Sequence, residues 1–61
     1  MDPLRSPHEF AEQVHVPLAT TYQWSSKGTG PRYIRVGRHD RYRQSDIDAW
    51  LNARVVEPRS A

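Results

Sequence analysis

Cysteine is absent from this chain, which is a severe restriction for so short a sequence. With 61 residues and no Cys, neither a disulfide nor a cysteine-based zinc site can hold the fold together. A chain of this length buries only about 60% of the surface that its unfolded form exposes. We therefore expect one domain at most, which depends on a few large apolar side chains and on clear local signals.

Local signals in the first half of the chain predict two short helices. Ser6-Pro7-His8-Glu9 has the pattern of a capping box with proline at the first helical position, and it predicts a helix over about residues 7–14. Pro17 interrupts this helix. A second helical segment follows over about residues 18–27 and ends at Gly28, a typical stop. Two short helices joined by a three-residue turn predict a helix-turn-helix unit.

The segment after the second helix predicts a β-hairpin. Residues 33–36 and 41–43 alternate apolar and polar side chains on either side of a turn at residues 37–40. We expect an arginine-rich upper side and an apolar underside. The underside is expected to carry Ile34, Val36 and Tyr42.

A third helix completes the predicted α+β fold, a small winged helix-turn-helix with three short helices and a two-stranded hairpin wing. We expect Ser45 to cap this helix, which ends near residues 52–54. The expected domain covers residues 6–53, between a flexible arm at residues 1–5 and a tail at residues 54–61. The expected core consists of Phe10, Val14, Trp24, Ile34, Val36, Tyr42, Ile47, Trp50 and Leu51.

Positive charge is concentrated in one part of the chain. Residues 27–43 hold one lysine and five arginines against a single acid, Asp40, although the formal net charge of the chain is only +2. Arginine suits phosphate oxygens because its planar donors match their geometry. A basic element of this kind on a small domain is typical of nucleic-acid binding, whereas an ordinary solvated hairpin is the alternative.

Several short motifs together carry a resemblance to a known family over about residues 6–53. They are Ser6 to Val16, Thr20 to Trp24, Gly28 to Arg32, Val36 to Arg38 and Arg41 to Leu51. In their order and spacing the chain resembles the phage excisionase (Xis) and AlpA-like small winged-helix proteins, which are related to the MerR regulators. The resemblance implies an origin in an actinobacterial phage or mobile element.

This resemblance implies an architectural function on double-stranded DNA. In such proteins the second helix enters a major groove and the wing reaches an adjacent minor groove. Several copies bind tandem sites cooperatively, associate along the DNA and bend it, so that a phage-type integrase runs excision instead of integration. AlpA-like relatives act as transcriptional regulators at operator repeats, which is the alternative function.

The residues expected to contact DNA lie on the second helix and on the wing. Base edges in the major groove carry a code that side chains can read, and a narrow minor groove attracts arginine. The expected major-groove residues are Ala19, Thr20, Tyr22, Gln23 and Lys27. The expected minor-groove and phosphate residues are Arg32, Arg35, Arg38, His39, Arg41 and Arg43. Pro17-Leu18-Ala19 departs from the family, which places a polar cap and basic residues there, so we expect leaner base readout.

Other functions find little support in the sequence. His8 and His15 lack a third clustered ligand, so we expect no metal site and no cofactor. Since no motif positions a nucleophile, we expect no enzyme activity. No segment is long and apolar enough for a membrane span, and we expect a cytoplasmic protein associated with the nucleoid of a bacterial host. A protein-interaction module with an acidic partner is a further alternative.

Overall fold

Three helices and a three-stranded antiparallel sheet form the fold in the computed structural model, which describes residues 2–58. The elements in chain order are β1 (Leu4–Arg5), α1 (Pro7–Val14), α2 (Leu18–Lys27), β2 (Ile34–Val36), β3 (His39–Arg43) and α3 (Gln44–Asn52). The predicted α+β class is confirmed, with one strand more than expected. Met1 and residues 59–61, which belong to the predicted arm and tail, lie outside the described residues.

The first two helices begin and end at the residues that carry the sequence signals. The Ser6 amide donates to Glu9 Oε1 at 2.9 Å, and the Glu9 amide donates to Ser6 Oγ at 3.1 Å, which completes the capping box. His15 ends α1 in the left-handed conformation, with φ of 58°. Gly28 ends α2 with φ of 70°, a conformation that glycine adopts without steric cost.

The third helix begins earlier than predicted, and Ser45 does not cap it. Arg43 is both the last residue of β3 and the N-cap of α3, because the strand continues directly into the helix. Ser45 is already the second helical residue, and its hydroxyl donates to the carboxylate of Asp2. Arg43 Nε instead contacts Asp46 Oδ2 at 2.8 Å, which fixes the corner between strand and helix.

The start of the chain belongs to the sheet, so the prediction of a flexible arm is wrong for Leu4 and Arg5. These two residues pair with Arg43 and Tyr42, which places β3 at the centre of the order β1-β3-β2. The Gln44 amide also donates to the Pro3 carbonyl at 3.1 Å. Sequence patterns do not predict a strand of two residues, since it is too short to show alternation.

The register of the hairpin corrects the predicted distribution of side chains between its two faces. Val36 pairs with His39 and Ile34 with Arg41, so the turn contains two residues, 37–38, and not four. Whenever a turn contains an even number of residues, even-numbered residues of one strand lie opposite odd-numbered residues of the other. Ile34 and Val36 therefore share a face with Arg41, whereas Tyr42 lies on the other face.

The core lies between the Tyr42 face of the sheet and the helices. Phe10, Tyr42 and Ile47 are at most 2% exposed, and Val14, Trp24 and Trp50 pack against them. Ile34 is half-buried on the outer face of the hairpin. Val36 and Leu51 do not belong to the core, since they are 51% and 38% exposed. Val36 adjoins the turn on the outer face, and Leu51 projects to the opposite side of Ile47 from Trp50.

Candidate nucleic-acid interface

The buried side of α2 determines which of its residues face outward. Thr21 is fully buried, and its hydroxyl donates to the Leu18 carbonyl at 2.7 Å. The Trp24 ring packs on Phe10, with centroids 6.1 Å apart, and the Ser25 hydroxyl lies 3.1 Å from the Tyr42 hydroxyl. These contacts attach α2 to both α1 and the sheet.

The residues predicted to enter the major groove lie away from these contacts. Ala19, Tyr22, Gln23 and Lys27 are exposed, and Thr20 is half-buried. Tyr22 is 52% exposed, so its ring and hydroxyl are accessible to a partner. The structure thus leaves one continuous surface of α2 open, with Lys27 at its C-terminal end.

The arginines of the hairpin fall into two groups that the sequence does not separate. Arg35 Nε lies 2.5 Å from Asp40 Oδ1, and Arg43 is paired with Asp46. The hydrogen bond to Asp40, followed by the charge of its carboxylate, raises the pKa of Arg35 above its ordinary value. Arg35 shares the Tyr42 face of the hairpin with Asp40, whereas Arg41 lies on the other face. The expectation of a single arginine-rich side is therefore wrong for Arg35.

The remaining basic residues of this region have no carboxylate within salt-bridge distance among residues 2–58. They are Lys27 on α2, Arg32 in the connection after it, and Arg38 and Arg41 on the hairpin. Arg38 and His39 are exposed at the turn, and Arg41 Nη1 donates to the Asp40 carbonyl at 2.7 Å. Hereafter Lys27, Arg32, Arg38 and Arg41 are called the free cations.

The connection between α2 and the hairpin is fixed by contacts that sequence reasoning missed. The Thr29 carbonyl accepts hydrogen bonds from Trp50 Nε1 at 2.9 Å and from Arg54 Nη2 at 2.7 Å. The Arg54 guanidinium also lies over the Trp50 ring, 4.1 Å from its centroid. The spacing of four residues between Trp50 and Arg54 is a signal for this contact, but it does not predict the bond to Thr29.

Between residues 2 and 58, no group of three or more His, Asp or Glu side chains could hold a metal ion. His8 contacts Glu12 at 2.8 Å on α1, and His15 lies at the end of that helix. No helix in the same range is long and apolar enough to cross a membrane.

A helical pair followed by a cationic hairpin defines a DNA-binding domain of the helix-turn-helix class. Comparison with protein families agrees, since residues 6–55 match the family described as a helix-turn-helix domain. The chain belongs to this family. The match spans α1, α2, the hairpin, α3 and Arg54, and it supports double-stranded DNA as the partner. Among curated proteins, no relative matches the chain.

Proposed function

We propose that this chain is a non-catalytic architectural protein of the excisionase type, which recognises a specific duplex sequence. In this proposal α2 enters a major groove and the hairpin reaches the adjacent minor groove. The observation that carries the proposal is the placement of the free cations. They lie on α2, on the hairpin and on the connection between these elements, and no carboxylate of residues 2–58 lies within salt-bridge distance of them.

The hairpin turn suits insertion into a narrow groove. It contains only Gly37 and Arg38, and Gly37 has φ of 61° with no side chain to add bulk. A narrow minor groove concentrates negative potential, which favours an arginine inserted into it. Arg38 at the turn is therefore the residue proposed to enter the groove, with Arg41 on the adjoining phosphates.

The small size of the domain supports binding by several copies. One module of this size covers about 600–1,000 Å² of DNA interface, which is little for tight and selective binding by itself. We therefore propose cooperative binding of copies at tandem sites, with bending of the DNA and engagement of a phage-type integrase on the bacterial nucleoid. Candidate contacts between copies are the exposed surface of α1 and the tail residues Val55 and Val56, which are 66% and 86% exposed.

Salt dependence of binding tests the electrostatic part of this proposal. Four neutralised phosphates give a slope near −4 when the logarithm of affinity is plotted against that of salt concentration. The double substitution Arg38→Gln and Arg41→Gln should reduce the magnitude of the slope by about 2. The matched control, Arg5→Gln combined with Arg59→Gln, removes the same charge from outside the free cations. Equal slopes for both double variants would refute the proposal.

The finer parts of the proposal need separate tests. Binding curves on one site and on three adjacent sites measure cooperativity, and equal affinities per site would exclude it.

A recombination assay on attachment-site DNA with the cognate integrase tests the excisionase function. If the chain leaves recombination unchanged but alters transcription from a promoter beside its site, it is an AlpA-like regulator. If it binds no duplex but retains an acidic protein, it is a protein-interaction module.

A further inference from the structure

A shallow groove lies between the end of α2 and the segment that leads to the hairpin. Its walls include Trp24 and Gly28 on one side and Gly30, Arg32 and Tyr33 on the other. This groove is separate from the exposed surface of α2 and from the hairpin turn, which are the two elements proposed to read the DNA. Its position between them makes it a candidate for a third contact.

Two glycines line the groove, and their surroundings differ. A Cβ atom at Gly30 would lie 3.1 Å from Trp24 Cβ, so a side chain at this position would displace the tryptophan or the connection. At Gly28 an added Cβ would meet no described atom within 4 Å, so a side chain there would project into open space. The two positions therefore have different roles, close packing at Gly30 and a helix end beside open space at Gly28.

The walls of the groove are held in place before any partner binds. The Thr29 amide donates to the Trp24 carbonyl at 2.9 Å, and the Thr29 carbonyl accepts from Trp50 and Arg54. Thr29 is thus bound through its amide to α2, and through its carbonyl to Trp50 on α3 and to Arg54. A preformed groove binds its partner at a lower entropic cost than a mobile loop would.

The chemistry of the lining fits a deoxyribose with its phosphate. Arg32 is the charged residue of the lining, and no carboxylate of residues 2–58 lies within salt-bridge distance of it. Lys27, in the last turn of α2, directly precedes Gly28 of the lining. These two cations offset the partial negative charge that a helix carries at its C-terminal end. Trp24 and Tyr33 supply apolar surface against which the carbon atoms of a sugar can pack.

We propose that this groove holds one phosphate and its deoxyribose from the strand that separates the two DNA grooves. The inference rests on the proposed function. If α2 lies in a major groove and the hairpin in the adjacent minor groove, one sugar–phosphate strand passes between them. The segment that joins α2 to β2, residues 28–33, must cross that strand. The crossing strand then lies in the groove that this segment lines.

A pair of substitutions at Gly28 tests the groove by charge alone. Asparagine and aspartate both tolerate the left-handed conformation and are almost equal in size, so Gly28→Asn is the control for Gly28→Asp. We expect the aspartate variant to bind duplex DNA about fivefold more weakly than the asparagine variant, through repulsion of the phosphate. The difference should shrink as salt concentration rises. Equal affinities of the two variants, both folded by circular dichroism, would overturn the inference.

A scan of the DNA identifies the phosphate itself. The probe is a duplex selected from a random library by the unaltered chain, with single phosphates replaced by neutral methylphosphonates. One replacement, at a phosphate between the α2 and hairpin footprints, should weaken DNA binding by the unaltered chain and by the Arg38→Gln variant. The same replacement should cause no further loss of DNA binding in the Arg32→Gln variant. An equal loss in Arg32→Gln would overturn the inference and leave the proposed function intact. Failure of the unaltered chain to bind any duplex would overturn both.

Discussion

Asp40 binds Arg35 directly across the hairpin, with 2.5 Å between the carboxylate Oδ1 and the guanidinium Nε. The two residues are partners in the register, so the contact spans β2 and β3. The side chain of Asp40 is only 18% exposed, whereas that of Arg35 is 61% exposed. The single acid of the hairpin therefore neutralises one of its arginines, and fewer charges are available to DNA than the sequence alone suggests.

Substitution of Asp40 should strengthen DNA binding. Asp40→Asn keeps the size of the side chain and one acceptor oxygen, but it releases the charge of Arg35. We expect higher duplex affinity at low salt and a salt slope steeper by about 0.9, which corresponds to one more phosphate contact. Fluorescence anisotropy over a range of salt concentrations measures both quantities.

The matched control for this change is Asp48→Asn. Asp48 Oδ1 accepts from Gln44 Nε2 on the surface of α3, and asparagine can accept the same hydrogen bond. The control gives the same change in net charge but leaves every arginine of the hairpin as it was. A similar gain in both variants would show that net charge, and not the release of Arg35, causes the effect.

Arg54 should stabilise the fold although it lies near the end of the family match. Arg54→Ala removes the guanidinium that stacks on Trp50 and donates to Thr29. We expect the free energy of unfolding to fall by about 1–2 kcal/mol, as measured by urea denaturation. Arg54→Lys should recover little of it, because an ammonium group has no planar face to stack.

Arg32→Ala is the control for this prediction, since Arg32 is exposed and belongs to the free cations. Its effect on the free energy of unfolding should stay within about 0.5 kcal/mol. An equal effect of Arg32→Ala and Arg54→Ala would contradict the role assigned to the stacked guanidinium. The same comparison on DNA should show the reverse order, with the larger loss of affinity for Arg32→Ala.

Tyr42 should make the stability of the fold depend on pH in the alkaline range. Burial raises the pKa of Tyr42 above its ordinary value, an effect that the hydrogen bond with Ser25 partly offsets. Because the folded state holds the phenol proton more tightly than the unfolded state, this contribution to stability is complete below about pH 10. It is lost as the pH rises through the pKa of the folded state.

Tyr42→Phe isolates this contribution. Above about pH 10 the free energy of unfolding should fall less steeply in Tyr42→Phe than in the unaltered chain. At neutral pH the variant should be less stable by about 1 kcal/mol, through loss of the hydrogen bond to Ser25. Tyr22→Phe, at an exposed position, should follow the unaltered chain. If all three chains lose stability equally in alkaline denaturation, the assignment to Tyr42 is wrong.

Phe10 and Val36 should differ sharply in their contribution to stability. Phe10 is fully buried and its ring lies within 6.1 Å of Trp24, Tyr42 and Trp50, measured between centroids. Phe10→Ala should cost about 3–5 kcal/mol, enough to unfold so small a domain. Val36→Ala should cost less than about 1 kcal/mol, because half of this side chain is already exposed. Comparable losses in thermal denaturation would contradict the hairpin register described above.

The sequence predicts the helices better than the sheet because helix signals are local. The capping box at Ser6 and the glycine stop at Gly28 act over three or four residues, and both coincide with the observed ends. The register of the hairpin depends on the length of its turn, which composition does not fix. The pairing of Leu4 with Arg43 joins residues that are far apart in the chain and leaves no local pattern. Ser45 has the residue type of a cap, but the direct step from strand to helix moves that position to Arg43.

In the candidate site too, the sequence predicts what depends on local patterns but not what depends on contacts between distant residues. A sequence reveals that arginines are concentrated between residues 27 and 43, but it does not reveal which of them are paired. The pairing of Arg35 depends on the cross-strand partner of Asp40, and so on the register. The bonds that Trp50 and Arg54 make to Thr29 connect residues more than 20 positions apart, so only the folded chain shows them.

Five aromatic rings form an unbroken series that begins at the exposed Tyr33, just before β2, and ends at Trp24 on α2 and Trp50 on α3. Tyr33 lies next to Tyr42, Tyr42 next to Phe10, and Phe10 next to both tryptophans, with successive centroids 4.7–6.1 Å apart. Close-packed rings resist compression and stretching. If α2 and the hairpin read DNA as proposed, these rings would hold the two elements at a fixed separation. Sequences whose grooves already have the right width and spacing would be favoured, and in all others the duplex would have to deform.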